Sequence, residues 1–208
     1  MITQDIEKLD IRLFEIFSNA DFLNVRGLAN EVPLFIQCYS PTQEDAMRRT
    51  VKDITQRLQS SGIAVKSIDL FDLVMEELTK AGIADDLLRD ECTYSRSDML
   101  ETLENYSDPT IMSSRLIENI GKNTQLTLIT GSGRVFPFLR THALLEDLQP
   151  QMEYQYPIVF FFPGQYRHNP ETGPQLRIFA SDDLPDVTKL HISYYRAFNL
   201  DDYQLSGK

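Results

Sequence analysis

Four short apolar runs, separated by longer segments with helical periodicity, constrain the fold of this chain more than any other feature. They cover residues 33–39, 64–70, 125–130 and 158–162 and are rich in residues that favour strands. Strands joined by helical crossovers run parallel, because the crossover returns the chain to the same end of the sheet. The sequence therefore predicts that these four strands are mutually parallel.

The segments between these runs carry apolar residues at helical spacing. The first predicted helix covers about residues 3–19, the second opens at Ser40-Pro41-Thr42 and ends at Ser61-Gly62, and the third runs from Leu70 to Ala81. One or two polar helices follow over 84–105. A further helix opens at Asp108-Pro109, and the last one follows Arg134 and carries Phe138, Leu144 and Leu148. Asp108 before Pro109 is a strong start signal, because an N-cap carboxylate precedes a proline at the first helical position.

The last run, Ile158 to Phe162, is apolar throughout, which is typical of a central strand buried on both faces. We therefore expect the side chains of Phe160 and Phe162 to be buried. Pro163-Gly164 predicts the end of this strand. A polar loop then leads to a short fifth strand over Leu176–Ala180, which we expect to be antiparallel because the loop is too short for a helical crossover.

Together these elements predict an α/β fold with three layers, a mainly parallel sheet of about five strands with helices on both faces. The chain has 208 residues, of which 42% are apolar and 25% charged, and this is enough to bury one sizeable core. We expect residues 1–208 to form a single domain that contains an acidic helical region at 69–121.

Nearly all of the net charge of −11 lies in one segment. Residues 69–118 hold thirteen acidic and four basic side chains, whereas residues 1–68 and 122–208 each hold nine acidic and eight basic ones. Nucleic-acid binders usually carry a basic stripe that displaces counterions from phosphates, and none is visible here, so we expect no direct DNA binding. The acidic segment is interpreted either as a solvated helical face or as a surface for a basic partner.

Three further features of the sequence bear on where in the cell the protein is located. The longest apolar run, Pro157 to Pro163, is far shorter than the ~20 residues that span a bilayer. The first ten residues have neither the basic start nor the apolar stretch of a signal peptide. Cys38 and Cys92 lack metal-binding or redox spacing and are interpreted as reduced thiols. We expect a soluble cytoplasmic protein without membrane contact.

The sharpest local motif is Gly131-Ser132-Gly133-Arg134, placed between a predicted strand and a predicted helix. In open α/β sheets, glycines at this position let backbone N–H groups approach an anion. The segment lacks the lysine and the following Ser/Thr of a phosphate-binding loop, and Phe136 stands where a dinucleotide motif has its third glycine. A tight turn and a weak anion site both remain open. Ser132 lacks the G-x-S-x-G context of a hydrolase nucleophile.

Other side chains with chemical potential are scattered. His142, His168 and His191 have no helical metal-ligand spacing, so we expect no metal or cofactor. Asp69 and Asp72 follow the second strand and are the best general-base candidates by position, although a helix N-cap is the simpler interpretation. No pattern in the sequence requires an enzyme.

A group of Tyr, Arg and His residues is interpreted either as a partner-binding surface, because Tyr and Arg are enriched at binding hot spots, or as ordinary tyrosine packing. The candidates near the ends of the third and fourth strands and in the tail are Arg134, Arg140, His142, Tyr166, Arg167, His168, Tyr195 and Arg196. In the acidic segment the candidates are Glu101 and Glu104. We expect the acidic segment at 69–118 and the Arg/Tyr-rich loops to lie on different faces, so that the molecule can meet two partners.

Five motifs follow one another along the chain, namely EVPLFI at 31–36, IDLFD at 68–72, LITGSGRVFPFLRTH at 128–142, FFFPGQY at 160–166 and YRAFN at 195–199. Together these motifs resemble the BrxB family. No single motif is diagnostic, but their order and spacing are specific, and the resemblance runs from about residue 13 to residue 203.

The resemblance implies a role in bacteriophage exclusion (BREX), in which site-specific adenine methylation of host DNA accompanies a block on phage DNA replication. It further implies a non-enzymatic adaptor that binds the PglZ protein, which has an alkaline-phosphatase-like domain, and helps connect it to the BREX ATPase and methyltransferase. It brings no catalytic residues. The alternatives are a nucleotide- or nucleic-acid-binding subunit that uses the Gly131–Arg134 turn, and a hydrolase or nuclease built from Asp69, Asp72 and the histidines.

Overall fold

The computed structural model describes residues 5–26, 33–151, 156–169, 173–180, 192–193 and 197–205. Its helices are α1 (Ile6–Phe17), α2 (Ala20–Leu23), α3 (Glu44–Ser60), α4 (Leu70–Lys80), α5 (Ala84–Arg89), α6 (Arg96–Tyr106), α7 (Pro109–Ile120) and α8 (Thr141–Leu148). Its strands are β1 (Leu34–Tyr39), β2 (Val65–Asp69), β3 (Leu126–Thr130), β4 (Ile158–Asn169), β5 (Gly173–Ile178), β6 (Ile192–Ser193) and β7 (Phe198–Asn199).

The central sheet has the strand order β2-β3-β4-β1-β7, and all of these neighbours are parallel. The register pairs Leu34 with Ile158, and it pairs Val65 with Leu126. The four predicted parallel strands are therefore confirmed. A two-residue strand from the tail, β7, completes this order. Outside it, β5 pairs antiparallel with β4, and β6 pairs antiparallel with β5.

Helices cover both faces of the sheet, which confirms the predicted three-layer α/β fold. Along β1, Leu34 and Ile36 pack with α4, α5, α7 and α8, whereas Phe35 between them packs with α1, α2 and α3. This alternation follows from the two-residue period of a strand. We call these two sides of the sheet the α4 face and the α3 face. Phe160 and Phe162 point to the α4 face and are buried, as expected.

The helix boundaries follow local signals. Asp108 caps α7 by accepting from the N–H of Thr110 at 2.9 Å, with Pro109 in the first turn. Gly121 ends α7 with φ +76°, a conformation that favours glycine. Both residues play the roles that the sequence predicts. The polar stretch over 84–105 forms two helices, α5 and α6.

The tail is held against β1 by a polar network. The side chain of Gln37 is fully buried, and its Nε2 donates to Asp201 Oδ1 at 3.1 Å. Arg12 donates to the same carboxylate oxygen at 3.1 Å and to the carbonyl of Leu200 at 2.5 Å. This network ties α1, β1 and the turn after β7 together on the α3 face.

Two predicted boundaries are wrong. β4 does not end at Pro163-Gly164 but continues to Asn169, where it pairs antiparallel with β5. Proline is tolerated at this point because the pairing of β4 with β3 has already ended at Phe160. The fifth strand accordingly begins at Gly173 rather than Leu176, and it is antiparallel to β4 as predicted.

The helix that was expected directly after Arg134 begins only at Thr141. Residues 131–140 instead form irregular turns, with a cis peptide bond between Phe136 and Pro137. Phe138 therefore lies outside the helix, although it still packs against the core on the α4 face.

Candidate functional site

The carboxyl ends of β2 and β3 meet at the side chain of Asp69. Its Oδ1 accepts from the backbone N–H of Phe71 at 2.9 Å and so caps α4. Its Oδ2 accepts from the hydroxyl of Thr130 at 3.2 Å and from Nη1 of Arg134 at 3.1 Å. Arg48 of α3 approaches the same oxygen at 3.7 Å. Asp69 therefore connects the ends of β2 and β3 with the start of α4 and with the turn that follows β3.

The Gly131–Arg134 turn packs directly against this carboxylate. Gly131 has φ +86°, and a Cβ there would lie 2.6 Å from Asp69 Oδ1. The guanidinium of Arg134 stacks over the ring of Phe71 at 4.2 Å while it pairs with Asp69. The only cation of the turn is therefore neutralised inside the protein. This arrangement disfavours an anion site, because an incoming anion would meet the Asp69 carboxylate.

The chemistry available at this edge is limited. Asp69 behaves as a helix N-cap, and Asp72 is exposed, 3.9 Å from Arg134. Ser132 is buried, and its hydroxyl has no hydrogen-bond partner among the described residues. No group of three or more His, Cys, Asp or Glu side chains that could hold a metal ion occurs within the described ranges.

Arg140 and His142 lie at the start of α8, on the α4 face. Arg140 is exposed and occupies the N-cap position without a side-chain capping bond. His142 is partly buried, with Nε2 4.0 Å from Glu146 Oε2. His142 therefore packs against Glu146 of its own helix, and its Nδ1 is buried without a hydrogen-bond partner among the described residues.

The other candidates of this set lie on β4 or in the tail. Tyr166 is half-buried against the core, and burial first, then the nearby Asp202, raises the pKa of its hydroxyl. Arg167 is exposed and donates to Gln165 Oε1 at 3.1 Å. The backbone of His168 belongs to β4, while its side chain lies outside the described part of the structure. Tyr195 and Arg196 also lie outside the described residues.

The acidic candidates Glu101 and Glu104 are exposed on α6, a helix without a single buried residue. The helix rests on the α4 face through three half-buried side chains, Met99, Leu103 and Tyr106. The acidic set and the Arg/Tyr set are not fully separated, because Arg134 pairs with Asp69 at the start of the acidic segment, and α8 packs beside α7. The expectation of two distinct faces is therefore wrong for Arg134, Arg140 and His142.

The sequence interpretation missed a basic cluster on α3. Arg48, Arg49 and Lys52 line an open cleft of about 630 Å³ between α3 and the carboxyl ends of β2 and β3. All three side chains are exposed. The available signal was the spacing R-R-x-x-K, which places three cations on adjoining positions of one helix in an otherwise acidic chain.

With the fold and these surfaces described, comparison with known proteins gives the family. A family model described as "BREX protein BrxB" matches residues 66–200, which is more than half of the chain. The chain belongs to the BrxB family. The matched region of this BrxB family member begins in β2 and includes the acidic helices, the Gly131–Arg134 turn, β4 and β5.

Two relatives align with this BrxB family member along nearly its full length. The BREX protein BrxB of Bacillus cereus (strain H3081.97) is 29% identical over 200 residues, which cover 94% of this chain and 97% of the relative. The BREX protein BrxB of Escherichia coli O9:H4 (strain HS) is 26% identical over 200 residues, which cover 92% and 91%. The resemblance seen in the motifs is thus confirmed, and the chain is a component of a BREX phage-defence system.

No solved structure matches this BrxB family member significantly. Within the described ranges, no helix is both long enough and apolar enough to cross a membrane.

Proposed function

We propose that this BrxB family member is a cytoplasmic, non-enzymatic adaptor that binds a PglZ-type BREX protein through the acidic face of α5 and α6. The observation that carries the proposal is the exposed character of these two helices. Residues 84–106 hold seven acidic and two basic side chains. The exposed acids are Asp85, Asp86, Glu91, Asp98, Glu101 and Glu104.

The acidic face also presents apolar side chains to solvent. Leu88 on α5 is 62% exposed, and Tyr94 between the helices is 39% exposed. In a protein interface, apolar side chains of this kind act as anchors that give affinity, and the charges around them give steering and specificity. These features support binding to a basic partner surface that offers a small apolar pocket.

A second contact is proposed for the exposed Arg140 and Arg167 and the neighbouring Tyr166, with the BREX ATPase or methyltransferase as the partner. Arg and Tyr are the residue types that most often carry binding energy at interfaces. Two contacts on one molecule are what an adaptor requires. Tyr195 and Arg196 remain sequence-based candidates for the same surface.

The alternative of a nucleotide- or nucleic-acid-binding subunit gains no support from the geometry of the Gly131–Arg134 turn. Its arginine pairs with Asp69 at 3.1 Å, so the turn offers no free cation to a phosphate. The hydrolase alternative depends on Asp69, whose two carboxylate oxygens already accept hydrogen bonds from α4, Thr130 and Arg134. We therefore propose no catalytic activity.

The test is the double charge reversal Glu101→Lys/Glu104→Lys. It should slow association with the purified PglZ-type partner, because the acidic face steers a basic partner. The rate for the wild-type protein should fall with added salt, since the Debye length shrinks from ~10 Å at 0.1 M to ~3 Å at 1 M. Association rates measured at several salt concentrations report both effects.

The matched control is Glu7→Lys/Asp53→Lys, which changes the net charge equally at exposed positions of α1 and α3. Both double variants should keep their thermal stability within about 0.5 kcal/mol per site, as is usual for exposed positions. Salt-independent association that the Glu101/Glu104 reversal leaves unchanged would remove α6 from the interface. Absence of any complex with the wild-type chain would refute the adaptor proposal itself.

A further inference from the structure

The cleft between α3 and β2 lies outside both surfaces proposed above. Arg48, Arg49, Lys52 and Gln56 line it from α3, and Ser67 lines it from β2. It opens at the carboxyl ends of parallel strands, where ligands of open α/β sheets usually bind. Its volume of about 630 Å³ is within the range of ligand-binding sites.

Two cations of this cleft have no ion-pair partner among the described residues. Arg49 and Lys52 form no ion pair within the part of the chain that the structure describes. Arg48 shares Asp69 with Arg134, so it is partly neutralised. Arg49 and Lys52 are three positions apart on α3, so their side chains are neighbours on the helix surface. The cleft lining carries three cations and three carboxylates, and Arg49 and Lys52 are its cations without an ion-pair partner among the described residues, so they can pair with single carboxylates of a ligand.

The strand that borders the cleft has an open edge. β2 ends the strand order of the sheet, and no described strand lies on its other side. The carbonyl of Ala64 accepts from the backbone of β3, so in a parallel ladder the backbone groups of Val65 and Ser67 point away from β3. The carbonyl of Val65 already accepts a hydrogen bond from Gln59 Nε2 at 3.0 Å. Ser67 is exposed and lines the cleft, and from this we infer that its outward-pointing backbone groups are accessible to an added strand.

The lining indicates the class of ligand. It contains no aromatic ring on which a nucleic-acid base could stack, and Val51 is its only apolar residue. Asp45, Asp69 and Asp72 are interspersed with the cations, which opposes a ligand as densely charged as a polyphosphate. A ligand with spaced single charges and backbone hydrogen-bonding groups fits both the free cations and the open edge.

We propose that this cleft binds an extended, acidic peptide segment of a partner protein, which pairs its backbone with the edge of β2 at Ser67 and its carboxylates with Arg49 and Lys52. Addition of a strand to an open sheet edge is a common mode of peptide recognition. The inference rests on the proposed adaptor function and gives it a separate docking site for a partner with an acidic segment.

The test uses a fluorescein-labelled octapeptide of alternating Glu and Thr and measures fluorescence polarisation with the full chain. The peptide should bind, and Arg49→Glu/Lys52→Glu should weaken binding by at least about tenfold, because two attractive contacts become repulsive. A peptide of alternating Lys and Thr, which the acidic face of α5 and α6 attracts, should bind no more weakly to Arg49→Glu/Lys52→Glu than to the wild-type chain. N-methylation of alternate residues in the Glu-Thr peptide should abolish binding, because it removes the backbone donors that face β2.

The matched control is Arg96→Glu/Lys122→Glu, an equal change of net charge at exposed positions away from the cleft. It should leave the affinity unchanged within about twofold. Three outcomes would overturn the inference. They are no binding of the Glu-Thr peptide, equal weakening by both double variants, and stronger binding of a labelled oligothymidylate that the cleft variant loses.

The failure of this inference and the failure of the adaptor proposal are distinguishable. If the PglZ-type protein binds the chain and the Glu-Thr peptide does not, the cleft proposal fails and the adaptor proposal stands. If no BREX component binds the wild-type chain in the association assay, the adaptor proposal fails whatever the peptide does.

Discussion

Asp69 shows how much of this fold depends on a single carboxylate. It caps α4, bonds to Thr130 at the end of β3, and pairs with Arg134 in the turn that follows. Its side chain is only 12% exposed, so each of these bonds is sheltered from water. Loss of a sheltered charge leaves its partner without compensation, which costs more than loss of an exposed pair.

We therefore expect Asp69→Ala to lower the free energy of unfolding by about 2–4 kcal/mol, because it removes a helix cap and several charge-assisted hydrogen bonds. Asp69→Asn should cost less, because it keeps a capping oxygen. The control is Asp72→Ala, which removes an exposed carboxylate and should change stability by about 0.5 kcal/mol or less. Chemical denaturation measures all three, and equal losses for Asp69→Ala and Asp72→Ala would refute the assigned role.

At the residue scale, the sequence indicated the right residues but not which of them contact one another. The position of Asp69 between a strand and a helix predicted either a cap or a base, and the cap is observed. Its partner Arg134 is 65 positions away, and sequence periodicity carries no information on such a pairing. The same limitation hid the convergence of Arg49 and Lys52 on the edge of β2.

Among the elements, β4 departs most from prediction, since Pro163-Gly164 lies inside the strand. Gly164 permits this because a Cβ there would lie 2.1 Å from the carbonyl oxygen of Arg177 on β5. A sequence rule that ends every strand at Pro-Gly cannot predict a strand that continues through Pro-Gly and pairs with a different strand beyond it. The helices α3, α4 and α7 were predicted well, because each combines a long apolar stripe with a start or stop signal.

Gly164→Ala should destabilise the protein by about 3 kcal/mol or more, because the hairpin of β4 and β5 has to move apart to admit the methyl group. Gly62→Ala is the matched control. Gly62 has φ +83° but open space around its Cβ position, so its cost of about 1 kcal/mol comes from backbone strain alone. Thermal unfolding compares the two variants, and a smaller loss for Gly164→Ala would contradict the close approach.

The contact between α4 and α7 predicts a pH dependence. Glu77 of α4 bonds to Lys80 at 2.7 Å and to Arg115 of α7 at 2.8 Å. Burial pushes the pKa of Glu77 upward, but the hydrogen bonds from Lys80 and Arg115 outweigh it and lower the pKa below its usual value of 4.5. A lowered carboxyl pKa stabilises the folded state above the unfolded-state pKa, and this stabilisation is lost as the pH falls through the folded-state pKa.

Glu77→Gln should therefore reduce stability by about 1 kcal/mol at pH 7, and the difference from wild type should shrink as the pH falls below 4.5. Glu76→Gln, a change at an exposed neighbouring position, should show little difference at either pH. Melting temperatures over this pH range provide the measurement. A Glu77→Gln effect that stays constant with pH would rule out the ion pairs as its cause.

At the scale of the whole molecule, charge is distributed between the two faces of one sheet. The acidic helices α5 and α6 lie on the α4 face, whereas the basic cluster of α3 lies on the α3 face. Both hydrophobic clusters are built on the same strands, so we propose that the described residues belong to a single domain. The sequence located the acidic segment, but it did not single out Arg49 and Lys52. That the molecule meets two partners through separate surfaces stays a prediction.

The position of β1 in the sheet has a consequence for the synthesis of this protein on the ribosome. Both neighbours of β1 come from the last third of the chain, β4 beginning at Ile158 and β7 at Phe198. The nascent chain therefore carries the apolar segment Leu34–Tyr39 with neither edge paired until β4 has been synthesised. Such segments are prone to self-association, so interrupted translation products of this gene should be insoluble or rapidly degraded.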